Sequence, residues 1–307
     1  MSVIWYSNPS GFDHVTPPGH PERVDRLNAV EAGLEPLRLD RRDAPDCTDA
    51  HLRLCHPQSY IDAISDSIPE AGSVSIDPDT HVSPGSLVAA RHAVGGCVAA
   101  VDAVLDGEAQ AAFVGCRPPG HHAETARSMG FCLFGNVAIA ARYALERGLH
   151  RIAVIDFDVH HGNGTQDLLW GVPEVLFVSS HQMPLWPGSG AAHETGAHGQ
   201  ILNVPLPTGS NGTQMREAYD LLVFPRIAAH APELFLISAG FDAHRADPLA
   251  GLNWRTEDYA WITHRLCDLA LEHCGGRIVS TLEGGYDLDA LSASVAAHVG
   301  VLKERLA

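Results

Sequence analysis

Acidic residues and histidines follow a short apolar run near the middle of the chain. The run IAVI at 152–155 is rich in β-branched residues, which predicts a strand buried on both faces of a parallel sheet. Because side chains alternate along a strand, Asp156, Asp158 and His160 project to one side if the extended geometry continues. Carboxylates beside a buried strand are costly unless a metal or hydrogen bonds compensate them. The stretch 151–166 therefore favours a functional site over an acidic turn.

Three further predicted strands also end in polar residues. A tandem pair of histidines, a lone aspartate and a Glu-Gly-Gly-Tyr run follow them, at His121-His122, Asp242 and Glu283 to Tyr286. In open parallel sheets, ligands bind beyond the carboxyl ends of the strands. We therefore expect the four polar clusters to meet at one edge of the sheet.

The residue types in these clusters predict a catalytic metal site. Asp242 completes a three-ligand set with Asp158 and His160 and leaves positions open for water and substrate. Zinc is the leading candidate for this set. Two oxygen ligands and one nitrogen ligand would also accommodate Fe²⁺ or Co²⁺.

The tandem histidines and the tyrosine are candidates for proton transfer and charge stabilisation. Neighbouring imidazoles titrate together, so His121 can stay protonated while His122 acts as a base near neutral pH, or the reverse. Glycines before Tyr286 permit a backbone conformation that points its hydroxyl at a developing oxyanion. Taken singly, each motif has a structural alternative, which is an exposed loop for the histidines and a core position for Tyr286.

Hydrophobic patterns predict strands that alternate with helices. The strands are expected at 3–6, 110–115, 152–155, 174–179, 201–205, 233–238 and 277–281, and the helices from about 21 and at 51–67, 84–105, 135–147, 213–229, 257–273 and 288–304. This order predicts parallel βαβ units in a three-layer α/β sandwich. With 307 residues, of which 45% are hydrophobic, we expect one domain over 1–307.

Composition indicates which binding partners and which cellular compartment to expect. A formal charge of −17 argues against nucleic-acid binding, and no apolar run approaches the roughly 20 residues that span a bilayer. Seven irregularly spaced cysteines and the absence of a signal-like N-terminus indicate a cytoplasmic protein. Four histidines within helical patterns are expected at surface or half-buried positions, namely His230, His264, His273 and His298.

Several motifs in order resemble one known family. RPPGHHAE, the Gly130-Phe131-Cys132 run, IDFDVHHGNGTQ, SAGFDAH and LEGGYD are similar to motifs of the metal-dependent histone deacetylases. They resemble the class II branch, which includes bacterial histone deacetylase-like amidohydrolases, within the arginase–deacetylase superfamily. The resemblance covers roughly 14–286. It implies an eight-stranded, mainly parallel sheet between helices and hydrolysis of N-acyl-lysine or a related amide, with no organic cofactor.

The resemblance also implies a role for individual residues. It assigns Zn²⁺ to Asp158, His160 and Asp242, and it makes His122 the general base beside His121. Asp156 and Asn163 are implied as the partners of the two histidines, and Tyr286 as the residue that polarises the carbonyl. Aromatic residues of an acyl-lysine channel are implied at Phe131 and Trp186, with Gly130 beside them. A structural K⁺ site, formed mostly by backbone oxygens, is implied at Asp156, Asp158, His160, Ser179 and Ser180.

Departures from the motifs narrow these expectations. Asn163 stands where class I members have an aspartate, and the asparagine would polarise His122 less strongly than an aspartate does. Gly162 and His244 take the positions at which binuclear arginases carry further ligands, so one catalytic metal is expected. Leu249 takes a gate position where polyamine-preferring relatives tend to carry glutamate, which favours acyl-lysine substrates over the alternative, an acetylpolyamine amidohydrolase. A non-catalytic acyl-lysine binder is a second alternative, and the physiological substrate and any homo-oligomer stay open.

Overall fold

The computed structural model describes residues 3–307, which form ten strands and ten α-helices. The strands are β1 (Val3–Ser7), β2 (Asp40–Asp43), β3 (Val74–Ser75), β4 (His81–Val82), β5 (Ala111–Val114), β6 (Ile152–Asp156), β7 (Val175–Gln182), β8 (Ile201–Leu206), β9 (Leu234–Ala239) and β10 (Ile278–Leu282). The helices are α1 (Asp25–Leu34), α2 (Asp49–Leu52), α3 (Gln58–Asp66), α4 (Ser86–Leu105), α5 (Asn136–Glu146), α6 (Asn163–Leu169), α7 (Gly212–Ala218), α8 (Phe224–His230), α9 (Thr256–Cys274) and α10 (Leu288–Leu306).

Eight of the strands form one parallel sheet. Their order is β2-β1-β5-β10-β9-β6-β7-β8, and every neighbouring pair is parallel. β3 and β4 form a separate antiparallel hairpin. The predicted three-layer α/β architecture with an eight-stranded parallel sheet is confirmed.

The central strands are apolar on both faces because helices cover both sides of the sheet. Along β6, Ala153 and Ile155 belong to a core shared with α1, α9 and α10. Ile152 and Val154 belong to a second core shared with α4 and α5. Burying a valine or isoleucine side chain typically contributes about 1.5–3 kcal/mol, so the two cores fix the sheet between its helices.

This topology determines where the polar clusters lie. β5, β10, β9 and β6 are adjacent in the sheet, and they are the four strands that precede the clusters identified in the sequence. Since all four run in the same direction, their carboxyl ends lie side by side at one edge.

Some predicted elements differ from the structure. The sequence pattern missed β2, whose DRRD sequence has no apolar alternation because it is an edge strand with largely exposed side chains. The first helix begins at Asp25 rather than near residue 21, and the segment 51–67 contains parts of two helices separated by a loop. A π-helical turn at Tyr219–Val223 joins α7 to α8 within the predicted helix 213–229.

Helix α4 corrects the expectation that no stretch is long and apolar enough to span a bilayer. By length and composition alone this 20-residue helix, which includes an 18-residue stretch with a mean hydropathy of 1.5, meets that requirement. However, 67% of that stretch is buried within the protein, where α4 packs against β5 and α5. Its apolar character is that of a core helix.

His298 is a second correction. Its side chain is fully buried rather than at the surface or half-buried. Nδ1 lies 2.7 Å from Thr263 Oγ1 and Nε2 lies 2.9 Å from Ser280 Oγ. These partners come from α9 and β10, so nothing in the local sequence of α10 indicated them.

Candidate active site

The three predicted metal ligands converge at the carboxyl ends of β6 and β9. One ligand atom from each of Asp158, His160 and Asp242 lies within 4.8 Å of the other two, and all three residues are buried. His160 Nδ1 is 3.2 Å from Asp158 Oδ1 and 3.1 Å from Asp242 Oδ2. Two carboxylates and one imidazole held this closely fit a divalent cation, which would offset charges that are otherwise costly to bury.

Backbone groups hold the two carboxylates in place. The Gly284 N–H donates to Asp158 Oδ2 at 2.8 Å, and the Val159 N–H donates to Asp242 Oδ1 at 2.9 Å. A β-carbon on Gly284 would lie 2.1 Å from Asp242 Oδ2, and one on Gly240 would lie 2.1 Å from Asp158 Oδ2. Both glycines are therefore required for the chain to approach the ligands.

The tandem histidines lie beside the ligands, and each has its own partner. His121 Nδ1 is 2.9 Å from Asp156 Oδ2, and His122 Nδ1 is 2.7 Å from Asn163 Oδ1. The two ring centroids are 3.9 Å apart. The pairing implied by the family motifs, of these histidines with Asp156 and Asn163, is present in the structure.

The surroundings separate the pKa values of the two imidazoles. Burial alone would lower the pKa of His121, but the carboxylates of Asp156, Asp158 and Glu283 overcome it and raise that pKa well above its ordinary value. Burial, together with the neighbouring imidazoles, lowers the pKa of His122 well below its ordinary value. One charged and one neutral imidazole therefore lie side by side.

Glu283 supports the histidine pair. The sequence placed this residue in the polar cluster after β10 but did not indicate this role. Its Oε2 accepts hydrogen bonds from the Gly120 N–H at 2.7 Å and the His121 N–H at 3.2 Å. Its Oε1 accepts from the Ser238 hydroxyl at 2.9 Å. The carboxylate is fully buried and directly follows the apolar strand β10, but its partners come from other elements, so its role could not be predicted from the local sequence.

Tyr286 is half-buried, and its main chain is fixed on two sides. Its N–H donates to Asp247 Oδ2 at 2.7 Å. The preceding residue, Gly285, has a φ of 119°, and its carbonyl accepts from Arg26 Nε at 2.7 Å. The Arg26 guanidinium carbon lies 5.0 Å from the centre of the tyrosine ring.

Aromatic side chains lie on both sides of the site. The Phe131 ring is 5.9 Å from the Tyr286 ring, and the Trp186 ring is 4.7 Å from the His122 ring. Gly130 adopts a φ of 57°, and a β-carbon there would lie 2.4 Å from His122 Cδ2. Only glycine therefore lets the chain pass this close to His122 and Trp186.

Leu249 lies on the loop that follows Asp242. Its side chain is 36% exposed, and its N–H donates to Asp247 Oδ1 at 3.0 Å. The carboxylate of Asp247 therefore holds the Leu249 loop with one oxygen and the Tyr286 main chain with the other.

The residues of the implied K⁺ site are neighbours in the sheet. Asp156 of β6 pairs with Ser179 of β7, and Asp158 and His160 follow on the same chain segment. The Ser180 hydroxyl lies 2.7 Å from the Tyr219 hydroxyl. All five residues of the implied site are buried.

A buried charge cluster connects the loop at 14–24 and the start of α1 to the site, and no local sequence pattern predicted it. Glu22, Arg26 and Arg117 are fully buried. Arg117 Nη2 donates to Glu22 Oε2 at 2.6 Å, and Arg26 Nη1 donates to Glu22 Oε1 at 3.1 Å. Since Arg26 of α1 also donates to the Gly285 carbonyl, the cluster joins the loop at 14–24 to the Tyr286 loop.

Comparisons with known proteins agree with this geometry. The histone deacetylase domain model matches residues 20–302. The histone deacetylase-like amidohydrolase of Pseudomonas aeruginosa is 38% identical over 92% of this chain and 75% of its own length. Chloroplastic histone deacetylase 10 of Oryza sativa subsp. japonica is 40% identical over 90% of this chain and 68% of its own length.

A solved structure gives the same result. The crystal structure of the HDA15 HD domain superposes with a TM-score of 0.93 and 35% sequence identity, covering 99% of this chain and 88% of that one. The match spans the sheet, the helices and the loops that carry the site. The chain therefore belongs to the histone deacetylase family of the arginase–deacetylase superfamily and is a hydrolase that acts on amide bonds.

Proposed function

We propose that this enzyme removes acetyl or other acyl groups from lysine side chains, with zinc as its metal. The observation that carries the proposal is the close approach of Asp158, His160 and Asp242 to one another, beside a His122 imidazole whose pKa is lowered by burial. The pairing of a metal-ligand set with a base supports metal-assisted hydrolysis. The proposed reaction consumes one water and one amide and yields a carboxylic acid and a free amine.

The donor set supports a single divalent ion. When bound, such an ion acts as a Lewis acid that polarises the acyl carbonyl and lowers the pKa of water toward about 7. Zinc suits two carboxylates and one imidazole, and Fe²⁺ or Co²⁺ would be accommodated by the same donors. A structural K⁺ at Asp156, Asp158, His160, Ser179 and Ser180 is part of the proposal.

The proton transfers fall to the two histidines. Burial lowers the pKa of His122, which favours its neutral form. Its Nδ1–H donates to Asn163 Oδ1, so its Nε2 is free to take a proton from the attacking water. The neighbouring carboxylates raise the pKa of His121, so its imidazolium charge offsets the negative charge of Asp156. The proton that His122 accepts is then available for the leaving amine.

Charge on the acyl oxygen is the proposed target of Tyr286. Its hydroxyl donates to the oxyanion as attack proceeds, and Asp247 anchors its main chain. Phe131 packs on Tyr286 and Trp186 packs on His122, and these apolar rings suit contact with the aliphatic chain of an acyl-lysine. Leu249, at the rim, offers no partner to a second ammonium group, which supports acyl-lysine over acetylpolyamine substrates.

The compartment and the partners are part of the same proposal. A net charge of −17 disfavours direct binding to nucleic acids. The seven cysteines are all free, as is usual in a reducing compartment, and we propose a cytoplasmic enzyme acting on acylated peptides, proteins or small amines.

A side-by-side assay tests the proposal. Zinc-loaded protein is given a panel of acyl-lysine peptides and N-acetylspermidine, and release of the free acid is measured by mass spectrometry. We expect acetyl-lysine peptides to give the highest kcat/KM, and His122→Ala to abolish turnover while the protein stays folded. Tight binding of the peptides without hydrolysis would instead support a non-catalytic acyl-lysine binder.

A further inference from the structure

The side chain of Asn163 connects His122 to a second carboxylate. Asn163 Oδ1 accepts the hydrogen bond from His122 Nδ1 at 2.7 Å. Its Nδ2 donates to Glu124 Oε1 at 2.8 Å and makes a further contact of 3.4 Å to Met129 Sδ. Glu124 thus lies one hydrogen bond beyond the residue that holds the base.

In an asparagine side chain only the oxygen accepts hydrogen bonds and the NH₂ group donates them, whereas both oxygens of a carboxylate accept. If the Asn163 amide were reversed, its NH₂ would face His122 Nδ1 and force that nitrogen to accept. The imidazole proton would then move to Nε2, the nitrogen that has to take a proton from water. The activity of His122 therefore depends on which way Asn163 points.

We propose that Glu124 is a positioning residue that fixes the orientation of the Asn163 amide and thereby the tautomer of His122. The effect on turnover rests on the function proposed above. The effect on the tautomer does not, because it follows from the hydrogen bonds alone.

The segment that carries Glu124 is held against helix α6, which begins at Asn163. The N–H and hydroxyl of Thr125 both donate to Asp167 Oδ2, at 2.8 and 2.6 Å. The Thr165 N–H donates to the His121 carbonyl at 3.0 Å. A β-carbon on Gly164 would lie 2.4 Å from the Ala123 carbonyl, so this glycine lets the two segments meet.

The identity of residue 163 determines whether Glu124 is useful. An aspartate at 163 could accept from His122 through either oxygen and would need no orienting partner. It would also face the Glu124 carboxylate at a hydrogen-bonding distance, where like charges repel. Glu124 is therefore expected to assist catalysis when residue 163 is asparagine and to have no benefit when it is aspartate.

A double-mutant cycle tests this dependence. Glu124→Ala should lower kcat about tenfold, the equivalent of one lost hydrogen bond, with KM nearly unchanged. Glu124→Gln should recover most of the loss because its Oε1 accepts the same hydrogen bond. In an Asn163→Asp background, Glu124→Ala should cause no loss. The exposed Glu146→Ala is the matched control.

Three results would overturn the proposal. They are an equal loss from Glu124→Ala in both backgrounds, no loss in the asparagine background, and a Glu124→Gln variant as impaired as Glu124→Ala. An equal loss in both backgrounds would mean that Glu124 has a purely structural role in its loop. An impaired Glu124→Gln variant would mean that the charge of Glu124 matters rather than its ability to accept a hydrogen bond.

A measurement without turnover separates this proposal from the proposed function. In zinc-loaded protein with ¹⁵N-labelled histidine, the His122 signals are assigned by their loss in His122→Gln. The Nδ1–H tautomer should dominate in the unmodified protein and in Glu124→Gln, and should be depleted in Glu124→Ala. An unchanged tautomer in Glu124→Ala would contradict the proposal, whereas a protein inactive on every acyl substrate would contradict only the proposed function.

Discussion

The carboxylate of Asp247 holds the main chain of Tyr286 at 2.7 Å. Its other oxygen accepts from the Leu249 N–H at 3.0 Å, so the loop after β9 and the loop after β10 share one anchor. The loop after β9 carries the proposed metal ligand Asp242 and the proposed gate Leu249. Through Asp247 it also holds the main chain of Tyr286, the proposed oxyanion donor.

Tyr286→Phe should fold, bind its metal and bind substrate-like inhibitors, yet lose about 10² to 10³ in kcat. The Phe131 ring still packs against the phenyl ring, and the main-chain hydrogen bond to Asp247 is unaffected. Steady-state kinetics and metal analysis check this, with Tyr143→Phe as the control. A Phe variant with a nearly normal kcat would remove Tyr286 from the catalytic machinery.

Asp242→Ala should lose bound metal and activity together, with turnover reduced by more than about 100-fold. The substitution removes one of three protein ligands and leaves His160 Nδ1 with Asp158 alone. Metal content by mass spectrometry is the direct measurement, and Asp268→Ala, on the surface of α9, is the control. Stoichiometric metal in Asp242→Ala would mean that this residue is not a ligand.

Leu249→Glu should raise kcat/KM for N-acetylspermidine by about tenfold, because a carboxylate at the rim gives the second ammonium group a charged partner. Leu271→Glu adds the same charge at a similarly exposed position on α9 and should leave the preference unchanged. The assay compares polyamine and acetyl-lysine peptide for each variant. If the unmodified enzyme already favours the polyamine, our interpretation of Leu249 is wrong.

The buried His298 should make folding sensitive to acid. Burial lowers its pKa from 6.5 to about 3, so between these values the unfolded chain binds the extra proton. The stabilisation is complete above pH 6.5 and decreases as the pH falls, by about 2 kcal/mol at pH 5. Urea unfolding at pH 7 and pH 5 should show a smaller pH effect for His298→Gln than for the unmodified protein.

The control for this prediction is His150→Gln, since His150 is exposed. The hydrogen-bond geometry explains why His298 resists a proton. The Thr263 hydroxyl donates to the Tyr259 carbonyl at 2.6 Å, so it accepts from His298 Nδ1, which leaves Nε2 to accept from Ser280. An identical pH dependence in His298→Gln and the unmodified protein would show that other groups control acid unfolding.

Much of the fold could be predicted because short stretches of sequence identify most of its strands. Apolar runs such as ELFLIS and RIVST read directly as strands buried on both faces, and they correspond to β9 and β10. The DRRD strand β2 could not be predicted, because an exposed edge strand is formed by pairing with β1 rather than by its own hydrophobicity.

The same distinction applies to the site. The approach of Asp158, His160 and Asp242 to one another could be predicted because each lies within a few residues of the end of a recognisable strand. The supporting contacts join residues far apart in sequence, such as Arg26 with Gly285 over 259 positions and Gly120 with Glu283 over 163. No local pattern encodes such pairs. His298 was misjudged for the same reason, since both of its partners lie on other elements.

Metal reconstitution of the stripped protein tests the central claim most directly. Protein freed of metal by a chelator is titrated with Zn²⁺, and both bound metal and hydrolysis of an acetyl-lysine peptide are followed. We predict that activity is absent at the start, rises in proportion to bound zinc and reaches its plateau at one equivalent per chain. Full activity in the stripped protein, or a plateau only at two tightly bound equivalents, would contradict the assignment of a single catalytic ion to Asp158, His160 and Asp242.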